Sequence, residues 1–207
     1  MLEELSQKLV NLDEDQALTL VKKAISNSIA PLEIIDALRT GMDIIGQKFA
    51  NKEYYISDMV YAAEIFHLAM DILTPHLQKT STEILGKVVI GTAKGDIHDI
   101  GKNLVVSLLK CAGFQVIDLG VDVPPEKFIE KVKEIKPDIV GFSGLLTTSF
   151  EPMAETIELL EKEGFRASVR VMVGGGPVNE EWAKKAKADA YAKDAVEAVE
   201  LAKKFCG

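Results

Sequence analysis

At 207 residues the chain has room for one large domain or two small ones. Its 47% apolar and 27% charged residues are those of an ordinary globular protein, and a net charge of −8 speaks against binding nucleic acid through a basic surface. Two cysteines, Cys111 and Cys206, are too few for a disulfide framework and form no CxxC pair. No basic-then-apolar leader opens the chain and no apolar run is long enough to cross a bilayer, so a cytoplasmic protein without nucleic-acid or membrane partners is expected.

The first part of the chain reads as helical throughout. A short helix is expected around Leu5–Val10. Asp13 followed by Gln16 resembles a capping box, and Ala17, Leu20, Val21, Ala24 and Ile25 then form an apolar stripe. Pro31 suits the first turn of a third helix, along which Ile34, Leu38, Met42, Ile45 and Phe49 recur at spacings of three or four. A fourth helix is predicted from about Ser57 to His76, with Met59, Ala62, Ala63, Phe66, Met70 and Leu73 facing inward. Residues 1–82 therefore predict a four-helix bundle, ending in the polar linker Gln78-Lys79-Thr80-Ser81-Thr82.

Beyond the linker the period changes. Lys87–Gly91, Gln115–Leu119, Asp138–Phe142 and Val169–Val173 are short β-rich runs, each followed by a helical segment, with a weaker fifth strand at Ala190–Ala192. Near-continuous apolar strands alternating with helices imply a parallel sheet covered on both faces. The fold class is thus α/β, with the bundle followed by a flavodoxin-like, doubly wound (Rossmann-like) domain over residues 86–207. With strand order 2-1-3-4-5, a ligand belongs at the carboxyl ends of the first and third strands, where the order reverses. The unusual residues lie at strand ends: Ala93–Gly101 after the first, Ser143–Ser149 after the third, and Gly174-Gly175-Gly176-Pro177 after the fourth.

His98 is placed in the first of these loops, with Gly95 and Gly101 on either side to permit unusual dihedrals and close approach of a large ligand. A neutral imidazole suits a first-row metal such as cobalt, and its other nitrogen needs an acceptor that fixes the tautomer. Asp96, two residues away, can supply it. A loop histidine beside a carboxylate is also a common structural pairing. His67 and His76 fall nine residues apart on one predicted helix, on opposite faces, which argues against a multi-histidine centre. The triple glycine lacks the Lys-Ser/Thr of a P-loop and the spacing of a dinucleotide fingerprint; leaving space for a ligand between strand ends is the better reading.

Taken together, Asp96-x-His98-x-x-Gly101, Ser143-x-Leu145 and Gly174-Gly175 resemble the signature of the cobalamin-binding domain family. That family includes cobalamin-dependent methionine synthase, corrinoid methyl-carrier proteins and B12-dependent mutases. The resemblance extends through Lys94–Asn103 and Leu119–Pro124 and covers essentially the whole chain, the helical part resembling the cap of the methyl-carrier branch.

The resemblance implies a cobalamin or related corrinoid bound base-off/His-on, with methylcobalamin the form in turnover. It assigns His98 to the lower face of cobalt, Asp96 as acceptor from His98, and Ser149 as the next member of that relay. Ser143 would meet the displaced base, and Leu145, Gly174 and Gly175 would line the channel for the nucleotide tail. Gly95, Ile97, Asp99, Ile100, Gly101 and Thr147 are the remaining implied cofactor contacts. Leu145 alone is equally compatible with core packing, and Ser143 and Ser149 with satisfying loop backbone. In the cap, Phe49 and Ile56 would shield the upper face of cobalt, although Ser57 stands where many relatives have proline.

A methyl carrier of this kind implies two partner methyltransferases and a reductive activase. One methyltransferase is donor-specific, taking methanol, a methylamine, a methylated betaine or, as in O-demethylation, an aromatic methyl ether. The other passes the group to tetrahydrofolate or another one-carbon acceptor. His98 would leave and return during turnover, with Asp96 and Ser149 taking or releasing a proton. The alternatives are the B12 subunit of a radical mutase, which has no need of a methyl-shielding cap, and a B12-based sensor, which would need a signalling or DNA-binding module. A receiver domain without B12 would want an aspartate at the end of the third strand, where this chain has Ser143.

Overall fold

The computed structural model describes residues 1–76 and 84–207. The predicted linker at 78–82 lies outside the described residues. The chain divides into two compact units, Met1–Glu83 and Ile84–Gly207.

Four helices build the first unit: α1 (Leu2–Val10), α2 (Glu14–Ser26), α3 (Pro31–Ala50) and α4 (Ile56–Leu73). α1 packs on α2 and α3, and α4 packs on the same two helices. Leu5, Leu9, Ile34, Leu38, Ile45, Met59 and Leu73 are fully buried between them, which is the stripe the apolar spacing describes. Met70 and Phe49, expected inside, are only half-buried. Gly41 lets α1 and α3 approach closely, since a Cβ there would stand 3.0 Å from Leu9 Cδ2 and 3.1 Å from the Ser6 carbonyl.

The helix ends correct two expectations. Asp13 caps α2 by accepting from Gln16 N–H at 3.3 Å, but its own N–H donates to the Lys8 carbonyl, so the reciprocal half of a capping box is absent. The fourth helix stops at Leu73, and Thr74–His76 form a single 3-10 turn. Pro75 is the cause: it lacks an N–H and disfavours helical geometry in the residue before it. His76 therefore leaves the α-helix that carries His67.

In the second unit five parallel strands run in the order β2-β1-β3-β4-β5. They are β1 (Lys87–Thr92), β2 (Gln115–Asp118), β3 (Ile139–Ser143), β4 (Arg170–Gly174) and β5 (Ala190–Ala192). The connecting helices are α5 (Ile100–Ala112), α6 (Pro125–Ile135), α7 (Phe150–Lys162), α8 (Glu180–Lys185) and α9 (Ala195–Cys206). Val89, Val140 and Val171 turn one sheet face toward α6 and α7, while Val88, Ile139 and Met172 turn the other toward α5 and α9. Side chains alternate across each strand and both faces are covered, so both sets must be apolar. The order reverses between β1 and β3, which opens a crevice at their carboxyl ends.

Candidate functional site

Register brings three strand ends level. Thr92 of β1 pairs with Ser143 of β3, which pairs in turn with Gly174 of β4. The loops leaving these strands stay joined: Ala93 N–H donates to the Ser143 carbonyl at 3.0 Å, and Gly144 N–H to the Gly174 carbonyl at 3.2 Å.

Asp96 is the centre of this junction and is fully buried. Its Oδ1 accepts from the His98 backbone N–H at 3.0 Å and lies 2.6 Å from His98 Nδ1. Its Oδ2 accepts from Leu145 N–H at 2.6 Å, Leu146 N–H at 3.0 Å and the Ser149 hydroxyl at 2.9 Å. One carboxylate thus ties the β1 loop to the β3 loop, and the single 3-10 turn Thr147–Ser149 delivers the hydroxyl.

Burial alone would raise the Asp96 carboxyl, but the bonds from His98, Leu145 and Ser149 outweigh it and hold the group well below the usual carboxylate range. The group is therefore ionised and accepts only, so His98 Nδ1 is the donor to it, and in the neutral imidazole the free lone pair is the one on Nε2. His98's side chain is 49% exposed, and among the described residues Nε2 has no partner.

A pH dependence follows. An unfolded aspartate titrates near ~4, above the folded value, so the stability Asp96 contributes is complete above that pH and is lost as pH falls below it. Urea midpoints measured from pH 7 to pH 3 are expected to fall in the native chain. In Asp96→Asn, which presents an amide to buried donors, stability should already be lower by roughly 2–4 kcal/mol at pH 7, and the midpoint should show a shallower acid decline. Parallel curves for the two proteins would remove Asp96 from the acid response.

The other expected positions fall as follows. Gly95 takes φ +81, so its glycine is used for conformation. Gly101 sits in the first turn of α5, not in the loop as expected; helical dihedrals need no glycine, and a Cβ there would meet nothing within 4 Å. Asp99 is the N-cap residue of α5, and its side chain accepts from Asn103 Nδ2 at 3.1 Å rather than capping the helix. Ser143 closes β3, half-buried, and Thr147 is exposed. Leu145 is 49% exposed, which removes the core-packing reading for that residue. Gly174 ends β4 beside Ser143, and Gly175 after it lies against Gly144 of the β3 loop. Phe49 lies half-buried in the last turn of α3, and Ile56 is the exposed first residue of α4.

Two contributors escape a sequence reading. Thr92, fully buried, donates its hydroxyl to the His98 carbonyl at 3.0 Å. Gly144 packs so tightly that a Cβ would stand 2.5 Å from Met153 Cε and 2.7 Å from Ser149 Cβ. A threonine ending a strand and one glycine after a serine carry no local signal; only the fold gives them their neighbours.

The residues fit a metal that arrives inside a large apolar ring. Among the described residues no group of three or more His, Cys, Asp or Glu side chains is placed to hold a bare metal ion. A lone aimed imidazole suits a metal whose other ligands come with it. After β1, β2 and β3, Ile97, Ile100, Val121, Leu145 and Leu146 all stand exposed beyond the carboxyl ends of the strands, Ile97 and Ile100 by about three-quarters. Apolar side chains clustered at the surface mark a binding surface rather than chance exposure.

Residues 86–200 match a family model described as B12 binding domain, and residues 1–74 match a second model of the same description. The chain belongs to the B12-binding domain family. Among members of that family it is 41% identical over 207 residues to dimethylamine corrinoid protein 2 of Methanosarcina acetivorans, covering 99% of this chain and 95% of that protein. It is 40% identical over 196 residues to the trimethylamine corrinoid protein of Methanosarcina barkeri, covering 93% and 90%. A crystal structure of a cobalamin-binding protein from Desulfitobacterium hafniense superposes with TM-score 0.86 at 38% identity, over 100% of this chain and 99% of that one. The methanol:cobalamin methyltransferase complex MtaBC of Methanosarcina barkeri contains a chain that superposes with TM-score 0.86 at 27% identity, over 98% and 78%. Both parts of the chain thus match B12-binding domain models, and the helical unit followed by the five-stranded parallel sheet is the architecture of the solved relatives.

Proposed function

We propose that this chain is a corrinoid carrier of a methyltransferase system, with residues 86–207 holding the corrinoid, residues 1–82 forming its cap, and His98 the lower ligand of cobalt. The bound corrinoid supplies a metal centre that takes up and releases a methyl group. The observation carrying the reading is the His98 imidazole, fixed through Nδ1 by a buried, ionised Asp96 and left open at Nε2 on the crevice side of the sheet. That partnership makes Nε2 a stronger donor and keeps the ring at one angle.

The protein's own residues divide the remaining work. Asp96 holds the ring proton at Nδ1 while Ser149 and the two leucine amides hold Asp96. Gly174, Gly175 and Ser143 leave and border the space between strand ends in which a base-off nucleotide tail would pass. Phe49 and Ile56 on the helical unit are assigned to the upper face of the corrin. A donor-specific methyltransferase, an acceptor methyltransferase serving tetrahydrofolate or another one-carbon acceptor, and a reductive activase complete the system. Methylated amines are the favoured donors, because the relatives at 40–41% identity are named for dimethylamine and trimethylamine.

The test is transfer in trans. The purified chain is loaded with hydroxocobalamin, desalted, reduced, and mixed with a dimethylamine- or trimethylamine-specific methyltransferase and its 13C-labelled amine. Label on the chain-bound corrinoid, absent with 13C-methanol and the same enzyme, is the expected result. A chain that retains no corrinoid after desalting would overturn the carrier reading; a loaded chain labelled by no methylamine enzyme would overturn the donor class.

A further inference from the structure

We infer that Asp122, in the turn between β2 and α6, is a positioning residue that aims His98 by fastening the main chain of the loop carrying it. The inference rests on His98 being the cobalt ligand. Among the described residues the hydrogen bonds of Asp122 do not reach the His98 side chain. Its carboxylate Oδ1 accepts from the Gly95 N–H at 2.7 Å, and its own N–H donates to the Asp96 carbonyl at 2.9 Å. One residue therefore grips two consecutive residues of the β1 loop, Gly95 and Asp96, with only Ile97 between them and His98.

The grip is specific in its geometry. Asp122 adopts φ +53, a left-handed conformation that aspartate and asparagine tolerate better than most side chains. Gly120, two residues earlier, is at φ +86, so the turn folds back toward β1 through two left-handed residues. Supporting bonds hold that turn in place: Thr92 N–H donates to the Gly120 carbonyl and Val123 N–H to the Thr92 carbonyl, both at 3.0 Å. Gly95 itself is at φ +81 with open space where a Cβ would stand, so no packing holds this corner from outside. Its hydrogen bond to Asp122 fastens it to the β2 turn, while the Asp96 N–H closes the corner locally on the Ala93 carbonyl at 3.1 Å.

The β1 loop is thus clamped from two sides. The Asp96 side chain is held by the β3 loop, and the Asp96 main chain is held by the β2 turn. A metal ligand must be placed to within about 0.5 Å, and both clamps are needed to place the ring that Asp96 orients. Acceptance, not charge, is the required property, since an amide oxygen can receive the Gly95 N–H equally well.

Four proteins test this: the native chain, Asp122→Asn, Asp122→Gly and Asp122→Ala, each loaded with cobalamin, reduced to cobalt(II) and examined by EPR for splitting from an axial nitrogen. Asp122→Asn is expected to match the native chain. Asp122→Gly, which keeps the left-handed turn but loses the acceptor, and Asp122→Ala are each expected to shift the ligation equilibrium toward the unligated form by about tenfold, the worth of one hydrogen bond. In the metal-free proteins, amide exchange at Gly95 should accelerate in the Gly and Ala variants while β1 and β3 remain protected. Native ligation in Asp122→Gly, loss of ligation in Asp122→Asn, or a general loss of strand protection would each overturn the inference. Absence of nitrogen splitting in the native chain would instead remove His98 as ligand, with Gly95 exchange still reporting the clamp.

Discussion

Replacing His98 with Gly is expected to abolish nitrogen coordination of a bound corrinoid while leaving the chain folded. The side chain is half-exposed and fills no core space, so its removal opens no cavity. The cost to the apo fold is the loss of one donor to Asp96, about 1 kcal/mol, since Oδ1 keeps the His98-position backbone N–H and Oδ2 keeps its three partners. The cost to ligation is total. The remaining imidazoles, His67 and His76, both belong to the helical unit, one on α4 and the other in the 3-10 turn after it. The loaded variant should therefore give a base-off absorption spectrum and a cobalt(II) EPR signal without nitrogen splitting. Free imidazole at millimolar concentration should restore the splitting, because the Asp96 acceptor remains to receive its N–H. A variant with unchanged axial nitrogen would transfer the ligand role away from His98.

The second large effect is expected from Gly175→Ala, and it acts on the fold as well as on the site. Gly175 has φ +120, a conformation essentially closed to side-chain-bearing residues, and a Cβ there would overlap the Gly144 carbonyl oxygen. The new Cβ meets backbone rather than a flexible side chain, and Gly144 is itself closely packed by Ser149 and Met153. Strain and displacement together should cost roughly 3 kcal/mol, or about 10 °C in Tm for a unit of this size. Any relaxation must move the β3 loop, which carries the Leu145, Leu146 and Ser149 donors to Asp96, so corrinoid retention after desalting should fall as well. Gly101→Ala is the contrast: it adds a Cβ in open space to a helical residue, and thermal melting of the apo protein should show no loss. Equal Tm values for the two variants would mean that the β3 and β4 ends are looser than their contacts indicate.

Much of the architecture was legible because it depends on period. Apolar residues at spacings of three and four along Ile34–Ile45 can share a face only on a helix, and the runs at Val88–Ile90 and Val140–Phe142 are apolar on both faces only if both are covered. Boundaries were less legible where a single residue overrode the pattern. The apolar spacing continues toward His76, but Pro75 ends the α-helix at Leu73 whatever its neighbours favour. Asp13 kept half of its capping box for a similar reason, since its N–H found the Lys8 carbonyl first.

At the site the division is sharper. Two residues apart in one loop, Asp96 and His98 were bound to meet, so local sequence alone settled their pairing. Chain order likewise placed the glycines and Ser143 at strand ends. The family resemblance placed Ser149 in the Asp96 relay, but sequence could not say that Asp96 would also receive the Leu145 and Leu146 amides from about fifty residues away, nor that Asp122 would hold Gly95 and Asp96 from behind. It could not say either that Gly175 would need to be glycine because of Gly144. Those contacts exist because parallel register sets Thr92, Ser143 and Gly174 side by side, and hydrogen bonds between loops so delivered leave no periodic trace in the chain. Periodicity encodes which faces avoid water; the tertiary structure alone decided which polar groups those faces would bring within three ångströms of one another.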